Sequence, residues 1–367
     1  MTEFDKWQKL HQEQRLIDFI GSAEGVLWLK VKSIMRPELQ KKFCDKFGIV
    51  LSSTSAKDKF RELYNVMRDD TDRYSAMIDA FIIAENEKQL KALKVENLVS
   101  QLYKVQYFEW GGDNTNALDK YLVKHYVKDI NTYDALVSKC KTEVLGIVQK
   151  YLVNSWYNHW SSILIEHIFK SHKEIVLPAI GKIKNVDFFI DNVPLDLKVT
   201  YLPAEYQKDR RKALGLPVEM TFLKSEARRL GISFDKNAKE KEIEYEIVEK
   251  LRRSDKEECK ETLRNFEQQR RLICWEAVSQ PKLLMQWLYE NQGEMRFSAE
   301  NRLFLVLIDA HDMYESWKLK RDLDCLKPEI DKYVANFRAN KLTTIEFDYR
   351  GKQYEAKADV LFVIKAE

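Results

Sequence analysis

The feature that most constrains this chain is a change of period. Up to about residue 172 apolar residues recur three and four apart, the spacing of a buried helix face. Immediately afterwards, in NVDFFIDNVPLDLKVT (185–200), the spacing drops to two. Asp191-Asn192 has the chemistry of a two-residue hairpin turn. Such a turn puts Ile190 across from Val193, Phe188 across from Leu195, and Asp187 across from Asp196. Alternation then places Val186, Phe188, Ile190, Val193, Leu195, Leu197 and Val199 on one face and Asp187, Asp196 and Lys198 on the other. Residues directly opposed on antiparallel strands have Cβ atoms about 5 Å apart, so two ionised carboxylates there repel each other. A divalent cation reverses the sign, and Mg²⁺ is suited to one or two carboxylates completed by water and phosphate oxygens. Lys198, on the same face, is placed to orient water or to stabilise developing negative charge.

The rest of the chain sets the frame for this hairpin. With 367 residues, 45% hydrophobic and 32% charged, and only 11 Gly and 7 Pro, it has the composition of a helix-rich globular protein. Residues 1–150 read as a mainly α-helical N-terminal domain, with apolar stripes such as Phe4, Trp7, Leu10 and His11, or Phe60, Leu63, Tyr64 and Met67. SSTSAKDKF (52–60) suits a loop ending in a helix cap, and WGGDNTN (110–116) a glycine turn. From Tyr133 through His172 the helical pattern is nearly continuous, with a break expected near 154–158. Glu166 lies amid Ile163, Leu164, Ile165, Ile168 and Phe169, which places a carboxylate at the edge of a buried face or near a cation. Residues 151–367 read as a second domain with a charged helical insertion at about 205–275. RLFLVLIDA (302–310) has the make-up of a buried central strand, and a final hairpin turns at Arg350-Gly351 or Gly351-Lys352.

Composition excludes several classes. A formal charge of +3 demands no polyanionic partner overall, so a nucleic-acid surface must be a local patch. The five cysteines are scattered with no CxxC pair and no neighbouring histidine at zinc-ligand spacing, which fits free thiols in a reducing compartment. No apolar run approaches the roughly 20 residues that span a bilayer, and the charged N-terminus lacks the pattern of a signal peptide. A cytoplasmic protein without a membrane partner is expected.

A helix bearing Glu166, a strand bearing Asp187, a hairpin, and a strand reading Asp196-Leu197-Lys198 together resemble the PD-(D/E)xK, or restriction-endonuclease-like, nuclease superfamily. The likeness covers residues 155–202 and extends loosely to 302–310. It departs from the name-giving pattern in having Val186 before the first aspartate instead of proline. The resemblance implies an α/β fold, a mixed β-sheet flanked by helices, and Mg²⁺-dependent hydrolysis of DNA phosphodiesters, with Mn²⁺ as a substitute. Asp187 and Asp196 would bind the metal, Glu166 would assist there, and Lys198 would position water. Glu166 has an alternative in an ion pair with Lys170, four residues on. A type II restriction or phage-defence endonuclease acting on double-stranded DNA as a homodimer is the implied setting. A repair or recombination nuclease that recognises DNA structure, and a catalytically inactive DNA-binding scaffold, are the alternatives. Arg210, Arg211, Arg228 and Arg229 lie where phosphate contacts would serve. Residues 221–252 resemble a helix-loop-helix DNA-binding unit of the SAP type, or form a charged helical pair packed on the core.

Overall fold

The computed structural model describes the chain apart from residues 1, 106–116, 131, 182, 184, 292–298, 311, 366 and 367, so the expected glycine turn at 110–116 lies outside the described residues. The architecture is mixed α/β, with an open six-stranded mixed sheet and helices on both faces. The N-terminal helices are α1 (Glu3–Gln12), α2 (Ala23–Ser33), α3 (Pro37–Phe47), α4 (Ala56–Arg68), α5 (Thr71–Ala92), α6 (Val95–Leu102), α7 (Ala117–Leu122), α8 (Tyr133–Lys139) and α9 (Leu145–Lys170). Strands β1 (Val176–Pro178), β2 (Phe188–Ile190) and β3 (Val193–Tyr201) follow. Then come α10 (Ala204–Ala213), α11 (Glu219–Arg229), α12 (Glu240–Arg252), α13 (Glu257–Ser279) and α14 (Pro281–Glu290). The chain closes with β4 (Arg302–Asp309), α15 (Leu323–Asn336), β5 (Thr343–Tyr349) and β6 (Lys352–Lys365). No helix among the described residues is long and apolar enough to cross a membrane.

Strand order is β1-β2-β3-β4-β6-β5, antiparallel at β1–β2, β2–β3 and β6–β5, and parallel at β3–β4 and β4–β6. The parallel centre requires a long crossover between β3 and β4, and α10–α14 supply it. Both hairpins turn as their residues dictate. Asp191 and Asn192 take φ of 50° and 59°, and Arg350 and Gly351 take 51° and 74°. Positive φ at both central residues marks the turn whose twist suits a two-residue hairpin. The paired residues are Ile190↔Val193 and Tyr349↔Lys352.

One face of the sheet packs Phe188, Ile190, Val193, Leu195 and Leu197 against Ile165, Ile168 and Phe169 of α9 and Leu326, Ile330 and Val334 of α15, with Val199 at its edge. On the opposite face, Phe304, Val306 and Ile308 of β4 pack against Ile273 and Ala277 of α13 and Leu284 and Met285 of α14. The hairpin end of that face belongs to the N-terminal layer, where Ile180, Ile183, Val186 and Phe189 join a cluster with Trp28, Phe60 and Tyr64. Val186 therefore departs from the expected face. Asn185 has φ of 68° and the strand begins only at Phe188, so strict alternation does not extend back to 186.

Two further differences concern the helices. The expected break at 154–158 does not occur: α9 runs unbroken, with Asn154, Tyr157 and Ser161 buried along it. The expected boundary at residue 150 thus falls inside a helix. The N-terminal layer is built around α2, whose residues 25–31 are all buried, including Lys30, whose ammonium sits 2.9 Å from Asp79. Ser55 caps α4 by accepting the Asp58 N–H at 3.1 Å, as the 52–60 segment predicts.

Gly181 marks where this layer meets the sheet. A Cβ there would lie 1.5 Å from the Ser33 carbonyl oxygen at the end of α2, a backbone atom that cannot swing away, whereas a Cβ on Gly146 of α9 meets nothing within 4 Å. Gly181→Ala is expected to lower stability by about 3 kcal/mol, and Gly146→Ala to leave it unchanged or raise it by up to about 1 kcal/mol. Urea denaturation midpoints of the two variants check this, and equal midpoints would show that the contact does not bear on the fold.

Candidate active site

The three charged residues of the hairpin occupy a gap between two apolar clusters. On their face of the sheet, Phe189 on one side is packed under the N-terminal helices, and Phe304, the partner of Lys198 across the parallel pair, is packed under α13 and α14. Neither cluster covers the strip between. The Lys198 side chain is 46% exposed there, whereas that of Asp196 is 7% exposed.

Backbone pairing locates each group. The paired register ends at Phe188↔Leu195, and the Asp187 N–H donates to the Leu195 carbonyl at 2.9 Å, so Asp187 sits just before the paired strand, close to Asp196 but not squarely across from it as the sequence predicts. The Asp187 carboxylate turns back into the ladder and accepts the Leu197 N–H at 2.8 Å. On the other edge of β3, the Asp196 N–H donates to the Asn301 carbonyl at 2.9 Å. Lys198 reaches both oxygens of Asp196, at 3.0 and 2.8 Å.

Electrostatics follow from this crowding. Burial, then the charges of Asp196 and Glu166, push the Asp187 carboxyl up to about 7, against the opposing pull of the Leu197 N–H and Lys198. Asp196 is also raised, chiefly by burial. Lys198 and Arg302 counter that rise and Glu300 adds to it. Neighbouring carboxyls of this kind share their titration, the first proton relieving the repulsion that favours the second, and the pair is an environment in which a cation is favoured.

Glu166 stands apart from the other two acids. Its carboxylate pairs with Lys170 at 2.6 Å, the alternative open from the sequence, while still lying near enough to raise Asp187. Among the described residues, no group of three or more His, Cys, Asp or Glu side chains is arranged to hold a metal by itself. Two neighbouring carboxylates nevertheless match the way Mg²⁺ is held, since that ion keeps waters and takes substrate phosphate oxygens, although Lys198 would have to yield an Asp196 oxygen to it. Asp187 and Asp196 fit the ion on donor chemistry and on the mutual repulsion that it would relieve.

Several residues of the site escape the sequence reading. Arg302 follows directly on the backbone partner of Asp196 and is 2% exposed. Its Nε lies 3.5 Å from Asp196 and its Nη2 3.4 Å from Glu300, with the guanidinium 5.0 Å from the Tyr289 ring centroid. The Tyr289 hydroxyl in turn donates to the Glu300 carbonyl at 2.8 Å. Asn301 is fully buried. Its amide donates to the Leu16 carbonyl at 3.1 Å and accepts the Lys357 N–H at 3.0 Å, tying the N-terminal layer and β6 to the start of β4. The only signal in the sequence is Glu-Asn-Arg set at the head of an apolar strand, where polar residues are costly unless paired.

The four arginines expected at DNA do not form one surface. Arg211 is 1% exposed, and it donates to the Pro217 carbonyl at 2.7 Å and to Gln269, so it is an internal tie of the helical insertion and is corrected from the phosphate-contacting set. Arg210 is engaged with Glu276 at 2.5 Å, and Arg229 with Glu226 at 2.7 Å. Arg228 is exposed on α11. Residues 221–252 lie within a helical unit with its own apolar core, in which Leu223, Ile243, Ile247 and Phe266 are buried. Arg270 bridges Glu219 and Glu244 inside it, at 3.0 and 2.5 Å.

No family model, no curated protein and no solved structure matches this chain.

The raised Asp187 value sets a pH dependence. A carboxyl whose value is raised on folding contributes stability that is complete below the ordinary 3.8 and is lost as pH climbs through about 7. In EDTA, the protein should therefore lose stability between about pH 4 and 8. Asp187→Asn, which keeps an acceptor for the Leu197 N–H, should flatten that slope and be more stable than the parent at pH 8 by about 1–3 kcal/mol. Thermal denaturation across this range decides it. An unchanged slope in the variant would remove Asp187 as the cause.

Proposed function

We propose that the protein is a Mg²⁺-dependent DNA endonuclease with a restriction-endonuclease-like core. The observation that carries this reading is the closeness of two carboxylates, Asp187 and the buried Asp196, with Lys198 beside them at an opening to solvent. A structural role alone gives no reason to keep like charges close together. The order of elements, a helix with Glu166, an antiparallel hairpin with both aspartates, and a parallel β4 reached by a helical crossover, supports the same reading.

Asp187 and Asp196 would hold the metal, and Glu166 would act from α9 on the charge of Asp187. Bound Mg²⁺ supplies Lewis-acid polarisation of a phosphate oxygen and lowers the pKa of water. The remaining chemistry belongs to the chain. Lys198 would orient the attacking water and offset charge accumulating on the phosphoryl oxygens as the new P–O bond forms and the bond to the leaving sugar oxygen breaks. Arg302 would act through Asp196 as a positioning residue, fixing the carboxylate from behind. Arg228, exposed on α11, is the remaining candidate for a backbone phosphate contact from the expected arginine set, contributing affinity more than sequence choice.

Duplex DNA as substrate, a homodimer with one site per strand, and a restriction or phage-defence role complete the proposal. Incubating supercoiled plasmid with the protein and Mg²⁺ should yield nicked and linear DNA, and EDTA should abolish this. Asp196→Ala and Lys198→Ala should each slow cleavage by about 10²-fold or more. Equal nicking by parent and both variants would reject the site, and absence of cleavage with either Mg²⁺ or Mn²⁺ would favour a DNA-binding scaffold. Sequencing of the cut ends from genomic DNA separates a restriction enzyme, with discrete ends, from a structure-directed nuclease.

A further inference from the structure

A second cleft, of about 510 Å³, opens in the N-terminal layer away from the aspartate hairpin, between α1, the end of α2 and the start of α4. Its lining is distinctive in charge. Lys32, Arg36 and Lys57 all face it, and no acidic residue does. None of the three takes part in an ion pair or side-chain hydrogen bond among the described residues, although the neighbouring basic residues Lys6, Lys9 and Arg61 are each matched to an acid. Lys32 is half-buried, with its ammonium 5.1 Å from the Trp28 ring centroid and 5.6 Å from that of Phe60. Burial lowers its pKa with no carboxylate to offset the cost. A desolvated cation without an acidic partner, beside two exposed ones, is an arrangement completed by an anion.

The other walls narrow the anion's identity. Met35, Pro37 and Ala56 supply accessible apolar surface in front of the buried Trp28 and Phe60, and the His11 ring lies 5.3 Å from Trp28. Gln8 and Gln12 of α1 present amides that both donate and accept. Apolar surface beside amides suits a nucleobase, whose faces are apolar and whose edges carry paired donors and acceptors. A cavity of this size is within the range of small-molecule sites.

We infer that the cleft is a binding site for a nucleoside phosphate, with the phosphate on Lys32, Arg36 and Lys57 and the base between the α1 amides and the apolar surface of Met35, Pro37 and Ala56. The site is distinct from the aspartate hairpin, and its assignment does not depend on the nuclease reading. The same chemistry arises from a free mononucleotide or from one nucleotide of a single DNA strand.

Calorimetric titration in EDTA, where no cleavage intervenes, tests both sources, using deoxyadenosine monophosphate, deoxyadenosine, inorganic phosphate and a short single-stranded oligodeoxyadenylate. The monophosphate is expected to bind at least about tenfold more tightly than either the nucleoside or phosphate alone. Preference for the monophosphate over the oligonucleotide identifies the free nucleotide as ligand, and the reverse identifies the strand. The double variant Arg36→Ala/Lys57→Ala, at two exposed positions, and Lys32→Met, which keeps the aliphatic packing, should each weaken binding at least about tenfold with an unchanged melting temperature. Phosphate binding as tightly as the monophosphate, affinity unchanged in both variants, or no binding of any probe at about 1 mM would each overturn the assignment.

Discussion

Strand β3 is the element on which the rest depends, because it is paired differently on its two edges. On one it closes the antiparallel hairpin with β2, and on the other it runs parallel to β4. Asp196 is held by this double pairing: its own N–H is bonded to Asn301, and the carbonyl of its neighbour Leu195 is bonded to Asp187. A strand locked on both sides cannot rotate a charged side chain out to water. The buried Asp196 carboxylate is tolerated because Lys198 meets it from the solvent side and Arg302 from the interior. Stranding a buried ion by removing its partner commonly costs about 3–5 kcal/mol, so these cations belong to the fold as well as to the site.

The layers around the sheet then determine where the chemistry is. The face carrying Leu195 and Leu197 is packed against α9 and α15 and is largely core. The other face is covered in two portions, by the N-terminal helices near β2 and by α13 and α14 over β4 and β6. Lys198 is exposed at their boundary. Asn301, bonded to Leu16 from the N-terminal layer and to Lys357 from β6, ties the N-terminal layer to the sheet at the head of β4.

What the sequence discloses is whatever depends on neighbours along the chain. The hairpin register is legible because Asp191 and Asn192 adopt positive φ on local grounds, and everything from Ile190 back to Phe188 follows by counting. The central strand at 302–309 and the final turn at Arg350-Gly351 are legible for the same reason. Interactions across long separations are not. Nothing near Arg302 indicates that it will lie against Asp196, more than a hundred residues earlier. Nothing near Arg211 indicates that Gln269 will draw its guanidinium inside. Val186 lies off the expected face for a different reason: the paired strand begins only at Phe188, beyond the left-handed Asn185, so alternation cannot be counted back to it. The continuity of α9 through 154–158 was hidden because its polar residues, Asn154 and Ser161, are buried against other helices instead of marking a loop.

The hydrogen bond from the Leu197 N–H to the Asp187 carboxylate means that one rung of the β2–β3 ladder is closed by a titrating side chain instead of a backbone carbonyl. That amide is therefore a spectroscopic witness. Its proton resonance should move with the charge on Asp187, so a single backbone signal, followed in the intact protein, reads out protonation or cation capture at the carboxylate without any substrate being turned over.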